Sequence, residues 1–533
     1  MRKMLIFWFI VIIFGIGVQA QEPDFWWNER VFYEVFVRSF YDSDADGVGD
    51  LRGLTQQLDY LNDGDPATTD DLGVTGIWLM PVTEATSYHG YDVIDYRVVE
   101  ADYGNLDDFR AFLAAAHERG IAVIIDLVMN HISVEHPWFV EASSDPAAFT
   151  NDYFIWADEY PGYRGPWNEV AWHPAGERYY YGVFSPGMPD LNLSNPSVTA
   201  ELYDVARFWL EDMGVDGFRL DAAKHLIEAG EQQEDTPATL EWLADFKAYV
   251  KQTWPDALIV GEIYSESDRV APYVPASVDV AFDFDLADTM IDAVQRRNKD
   301  ILIAHQEQVL ELYPAGQYGA FLSNHDQTRV MSHFLGDMEP AKLLAVLLLT
   351  NPGVPFMYYG EEIAMQGNKP DTRIRTPMQW TGDPFNAGFS TVTAWQVPDA
   401  SAARANIAAQ TDAPDSLLNH YRQLIHLRND SPALQHGDYL LVESSAAPVY
   451  SFLRYTDDEI VMVLINLHQR AVTDYELHLE TGPLSPEVEA ELLFGEGLVT
   501  PPTTNTASGF DAYVPLETLP PRSSFVLRFN GGA

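Results

Sequence analysis

Eight short apolar runs, each followed by polar residues and then a longer amphipathic stretch, occupy residues 31 to 358 and restrict the fold of this chain most strongly. They are Val31 to Val37, Gly76 to Met80, Ala122 to Leu127, Gly217 to Leu220, Leu258 to Gly261, Val278 to Phe282, Gly319 to Leu322 and Val354 to Tyr358. Continuous runs of this length fit strands buried on both faces. The stretches between them, among them Asp107 to Arg119, Thr199 to Met213, Leu240 to Thr253, Ala287 to Leu312 and Pro340 to Leu349, repeat apolar residues at three and four, as helices do. Eight alternating units predict an α/β fold, a closed (β/α)8 barrel in preference to an open sheet.

The rhythm breaks twice. Residues 132–193, between the third and fourth strands, are rich in Trp, Tyr, Pro and Gly and predict an inserted subdomain over one end of the barrel. Residues 435–533 carry strands without helices, at Val449 to Tyr455, Ile460 to Leu467, Tyr475 to Leu479 and Phe525 to Phe529, and predict a C-terminal antiparallel β-sandwich. The barrel then takes residues 21–131 and 194–434. Pro398 to Asp415 is polar and Ala-rich and reads as a mobile loop.

At the other end, Arg2 and Lys3, an apolar run from Met4 to Val18, and Val18-Gln19-Ala20 make residues 1–20 a signal peptide pattern. The apolar run is shorter than the roughly 20 residues that span a bilayer. A secreted chain, extracellular or periplasmic, with no membrane insertion after processing is expected. There is no Cys, so stability after export must come from packing and bound metal in place of disulfides. A net charge of −49 argues against nucleic acid and anionic membrane partners and leaves a neutral substrate unopposed. With seven Lys among its cations, the surface suits a saline, halophilic setting as well as it suits an ordinary acidic secreted protein.

In a barrel of this kind chemistry gathers at the C-terminal ends of the strands. GFRLD carries Asp221 out of the fourth strand, VGEIY carries Glu262 out of the fifth, and FLSNHD carries His325 and Asp326 out of the seventh. DLVMNH carries Asn130 and His131 out of the third. Carboxylates brought to one mouth repel, so that one holds a proton while another is ionised. Arg219, two residues before Asp221 and on the same strand face, is expected to keep that carboxylate ionised. A protonated acid facing an ionised carboxylate is the requirement of glycosidic cleavage. Each acid alone could be a cap or a surface ion pair; four such motifs in barrel order argue otherwise.

The motifs GIWLMP (76–81), DLVMNH (126–131), MPDLN (188–192), GFRLDAAKH (217–225), GEIY (261–264), FLSNHD (321–326) and GVPFMYYGEE (353–362) resemble the ordered signature regions of the α-amylase superfamily of glycoside hydrolases. The resemblance runs nearly end to end. It implies Asp221 as nucleophile, Glu262 as general acid and base, and Asp326 as the group that holds sugar hydroxyls beside the scissile bond, with retention of configuration. It also implies that His131 and His325 bond the first sugar and that Tyr91 stacks on it.

MPDLN lies between the forms associated with oligo-1,6-glucosidases and neopullulanases. Ala222 in place of a bulky Val, and the pair Lys224 and His225 on the aglycone side, resemble enzymes that cut α-1,4 bonds. Asp92 and Arg375 resemble the pair with which α-glucosidases grip a non-reducing end. The expected activity is an α-amylase acting on α-1,4-glucans and maltooligosaccharides, as a monomer. The alternatives are an exo-acting α-glucosidase, a neopullulanase-like or cyclomaltodextrinase-like enzyme that also transfers sugars, and, remotely, a non-catalytic relative such as a transporter heavy chain.

DSDADGVGD, residues 42–50, sets Asp42, Asp44, Asp46 and Asp50 around Gly47 with the Val48 carbonyl between them, a set suited to Ca²⁺. It is not a full EF-hand, since the twelfth position is Gly53. A solvated acidic turn would look the same; relatives carry a calcium loop directly after the first strand. A second family site corresponds to Asn130, Asp190 and the His225 carbonyl.

Overall fold

The computed structural model describes residues 25–530, so the expected signal peptide lies outside the described residues. Eight parallel strands close a barrel: β1 (Phe32–Val35), β2 (Gly76–Leu79), β3 (Ala122–Leu127), β4 (Gly217–Leu220), β5 (Leu258–Gly261), β6 (Val280–Phe282), β7 (Tyr318–Ala320) and β8 (Val354–Tyr358). Each strand pairs with its neighbours in sequence, and β8 pairs with β1. All eight expected strands form, because each is apolar on both faces and buried on both.

The interior is filled by rings and branched side chains, including Phe32, Trp78, Ile124, Val260, Phe282 and Phe356. Alternate residues of a strand share a face. Glu34 therefore follows Phe32 into the barrel and Asp126 follows Ile124, and the filling changes from apolar to charged towards the C-terminal mouth. Across the ladder Asp126 stands opposite Arg219.

The outer helices include α1 (Leu106–Glu118), α2 (Pro196–Arg207), α3 (Pro237–Thr253), α4 (Phe284–Arg296), α5 (Lys299–Leu312) and α6 (Met338–Thr350). Three expectations need correction. The helix expected through Met213 stops being α-helical at Arg207 and finishes as a π turn, Phe208–Met213, closed by Gly214 at φ 89. The single helix expected from Ala287 to Leu312 is two, because Arg297 turns left-handed at φ 58 and the Asn298 side chain caps a new start at the Asp300 amide. The stretch expected to be a mobile loop, residues 398–415, holds a 3-10 turn, Ala400–Ala403, and a short helix, Ile407–Thr411, anchored by buried Asn406 and Gln410.

Residues 132–193 carry a helix, Pro137–Ser144, and a three-stranded sheet in which Arg178–Tyr181 lies between Trp156–Ala157 and Trp172–Ala175. A backbone bridge between His131 and Asp190 fastens this segment to the end of β3. The C-terminal region has β9 (Asp438–Ser444), β10 (Val449–Tyr455), β11 (Ile460–Asn466), β12 (Leu477–Leu479), β13 (Glu489–Phe494), β14 (Phe510–Tyr513) and β15 (Ser524–Asn530). They pair in the order β13-β15-β11-β10-β9-β12-β14. β9 pairs with β10 over its first five residues and with β12 through Glu443 and Ser444, so the sheet folds over and both halves enclose one core. β9, β13 and β14 escaped the sequence reading because each is only partly buried and mixes charged with apolar residues. Among the described residues no helix is long and apolar enough to cross a membrane.

Candidate active site

Arg219 is the hub of the barrel mouth. It is fully buried, and its Nη1 lies 2.5 Å from Asp126 Oδ1 and 2.9 Å from Asp221 Oδ1. Its Nη2 lies 2.9 Å from Glu262 Oε2. Arg219, expected to keep Asp221 ionised, reaches Glu262 as well, so its charge does not decide between the two acids. Burial first, then the charges of Glu262, Asp126 and Asp326, push the Asp221 carboxyl up to about 8 against the pull of Arg219. After Asp221 the chain turns through Ala222 at φ 49, whose amide donates to Glu262 Oε2 at 2.9 Å. The small residue keeps the approach to both carboxyls open.

Asp326 stands across the mouth, where Arg375 Nη2 donates to its Oδ1 at 2.7 Å and His325 Nε2 lies 3.3 Å from its Oδ2. Burial would raise its carboxyl, but His325 and Arg375 outweigh burial and hold it well below the usual carboxylate range. Tyr91 stacks on His325 with ring centroids 5.5 Å apart, and its hydroxyl reaches His325 Nε2 at 2.6 Å and Asp126 Oδ2 at 3.1 Å. His131 is buried, driven down to about 3 by that burial, and its Nε2 has no protein partner among the described residues. A neutral imidazole with a free nitrogen can bond a sugar hydroxyl.

Lys224 and His225 stand to one side. Lys224 Nζ pairs with Glu234 at 2.8 Å and donates to the Tyr264 carbonyl at 2.9 Å; His225 Nδ1 lies 3.0 Å from the Gln233 carbonyl. Asp92 and Arg375 do not pair. Asp92 accepts from the Ser87 amide and hydroxyl at 3.1 and 2.6 Å, while Arg375 is shared by Asp326 and Asp371.

The sequence reading missed Asp126, Glu34, Trp167 and Phe184. Asp126 and Glu34 had a signal, a lone carboxylate in an otherwise apolar strand. Trp167 and Phe184 had none, being single aromatics in an aromatic segment. Folding sets their rings 5.5 Å apart, with Trp167 5.1 Å from His225 and Phe184 5.0 Å from His131, and leaves Trp167 54% exposed.

In the loop after β1, carboxylate oxygens of Asp42, Asp44 and Asp50 lie within 4.8 Å of one another. Asp46 Oδ1 accepts from the Val48 amide at 2.7 Å. Gly47, at φ 95, is required because a Cβ there would meet the Thr393 carbonyl at 2.4 Å. Asp190 is 2% exposed; its Oδ1 accepts from the Val183 amide at 3.1 Å and its Oδ2 has no partner among the described residues. Burial and the nearby Glu228 raise its carboxyl well above the ordinary value. Such a group suits a cation.

A (β/α)8 barrel that holds two carboxyls on adjacent strand ends against one guanidinium, with a third across the mouth, is built as a glycoside hydrolase. Residues 34–437 match the alpha amylase catalytic domain. The chain is 38% identical over 475 residues to Alpha-amylase 3 of Dictyoglomus thermophilum, covering 88% of this chain and 90% of that one. It is 34% identical over 488 residues to the trehalose synthase/amylase TreS of Mycolicibacterium smegmatis, covering 80% of each. The crystal structure of alpha-amylase from H. orenii superposes with a TM-score of 0.81 at 38% identity, covering 94% of this chain and 99% of that one. The chain belongs to the α-amylase family of glycoside hydrolases, enzymes that act on α-glucans.

Proposed function

We propose that this chain is a secreted α-amylase that hydrolyses α-1,4 bonds of starch-type glucans with retention. The observation that carries the reading is the shared contact of Asp221 and Glu262 with Arg219, which brings nucleophile and acid together on β4 and β5. In its ionised form, which the Arg219 guanidinium favours against burial, the Asp221 carboxylate attacks the anomeric carbon while Glu262 gives a proton to the glycosidic oxygen, and the aglycone leaves with a new hydroxyl. Water then attacks the same carbon, its proton returns to Glu262, and Asp221 is released. Asp326, ionised by His325 and Arg375, bonds sugar hydroxyls and favours the oxocarbenium-like transition state. Trp167 and Phe184 flank His225 on the aglycone side and offer a stacking face to further glucose units.

Ca²⁺ would be held by Asp42, Asp44 and Asp50, and a second ion by Asn130 and Asp190, whose unpartnered buried oxygen supports it. The ion would add charge compensation and a cross-link to the fold. One observation favours the exo-acting or transferring alternative: a 34% identical relative is named for trehalose synthesis.

The product time course on maltoheptaose labelled at its reducing end separates these readings. Labelled products of several short lengths at early times support the amylase; a series shrinking one glucose at a time supports an α-glucosidase; products longer than the substrate support transfer. Asp221→Asn should abolish turnover while the fold and oligosaccharide binding persist.

A further inference from the structure

Glu34 is the one charge in the first apolar run, and it is 1% exposed inside the barrel. Its Oε1 lies 2.5 Å from Nδ1 of the fully buried His325. On the other edge of that ring, Nε2 faces the Tyr91 hydroxyl at 2.6 Å and Asp326 Oδ2 at 3.3 Å. The Trp78 ring packs on the same imidazole, and Arg375 Nε donates to the His325 carbonyl at 2.9 Å. Tyr91 continues to Asp126 Oδ2, Asp126 to Arg219, and Arg219 to Asp221. A single chain of polar contacts therefore joins Glu34 to the nucleophile.

Counting protons sets its direction. Tyr91 has one hydroxyl proton and two claimants, Asp126 and His325. If Nε2 carries a proton, it donates towards the Tyr91 oxygen and Asp326, and the Tyr91 proton is left for Asp126. If Nε2 is a bare lone pair, it opposes an Asp326 oxygen and draws the Tyr91 proton away from Asp126. Charge points the same way: six carboxyl groups, Glu34, Asp126, Asp221, Glu262, Asp326 and Asp371, gather around two guanidiniums, Arg219 and Arg375, and the His325 ring.

We propose that Glu34 is a positioning residue that holds His325 as an imidazolium at neutral pH, fixing Nε2 as a donor and directing the hydrogen-bond chain that ends on Asp221. The proposal rests on the assignment of Asp221 as nucleophile. In support, burial would lower the His325 ring, yet Asp326 and Glu34 raise it to about 10.

The test is a ¹⁵N titration of the ring nitrogens in the full chain labelled at histidine, with His325→Asn to assign the signal, in the unaltered protein and in Glu34→Gln. Glutamine keeps the shape and a hydrogen bond but not the charge. In the unaltered chain both ring nitrogens should be protonated at pH 7 and beyond pH 8; in Glu34→Gln the ring should lose its charge around pH 7. The variant should lose kcat/KM about tenfold at pH 8 and regain most of it at pH 6. A neutral His325 in the unaltered chain at pH 7, an unchanged titration in the variant, or an equal loss at both pH values would overturn the proposal. Should Glu34→Gln fail to fold, the titration of the unaltered chain decides alone. The ring titration does not depend on which glucan is cut, so its failure is separable from failure of the amylase reading.

Discussion

Ala222 and Trp167 are the residues at which specificity is most open to test. Ala222 follows the nucleophile in a left-handed turn and is 7% exposed, so two extra methyls there would crowd the aglycone side of the scissile bond. Ala222→Val should lower kcat/KM on maltotriose about tenfold and change it less on α-1,6-linked oligosaccharides, measured as a ratio on the two substrates. An unchanged ratio would remove Ala222 from the specificity. Trp167→Ala should raise KM for maltoheptaose several-fold, with kcat on maltotriose nearly unchanged, because the exposed indole offers its face to a glucose unit beyond the reacting one. Of these two, Ala222 was legible through its neighbours in GFRLDAAKH. Trp167 was not, because its partner His225 stands far along the chain and only the fold of the inserted segment brings the rings together.

At the scale of elements, the loop after β1 shows how local chemistry and distant packing combine. Its carboxylates accept its own amides, as Asp42 does from Ala45 and Gly47 at 2.8 and 2.9 Å. Asp42 also accepts from Ser390 Oγ at 2.6 Å, and the Trp395 amide donates to the Gly47 carbonyl at 2.8 Å, so the loop is strapped to a segment after β8. A bound cation would stiffen both. Removing calcium with a chelator should lower the melting temperature by several degrees, and Asp42→Asn should reduce that difference. Equal melting with and without chelator would argue against the site. The acidic spacing was legible; the strap, which depends on where Ser390 and Trp395 come to lie, was not.

For the whole molecule, burial of ionisable groups sets the pH range of stability. Burial raises the Asp221 and Glu361 carboxyls to about 8, and the carboxylates around His325 outweigh its burial and raise it to about 10. Each group binds its proton more tightly folded than unfolded. The folded state is therefore favoured at low pH, and that advantage is lost as pH rises from the ordinary values, about 4 for the acids and 6.5 for histidine, through the raised ones. On the acid side His136, driven down to about 4 by burial, is stabilising when neutral, and its contribution is lost as pH falls from 6.5 towards 4. Calorimetric melting temperatures should decline steadily from pH 6.5 to pH 9. A flat or rising profile there would contradict the cost assigned to these buried groups.

The sequence by itself determined the eight barrel strands and the acids at their ends, because a strand buried on both faces must be apolar along its length and a charge closing it is conspicuous. It also marked the changes of regime near residues 132 and 435. Tertiary structure alone decided that Arg219 serves both Asp221 and Glu262, that Glu34 lies beneath His325 291 residues away, and that Asp42 meets Ser390 348 residues away. The reason is physical: periodicity reports the face on which a side chain lies, but which faces meet is settled only when the barrel closes and brings its first and last strands side by side.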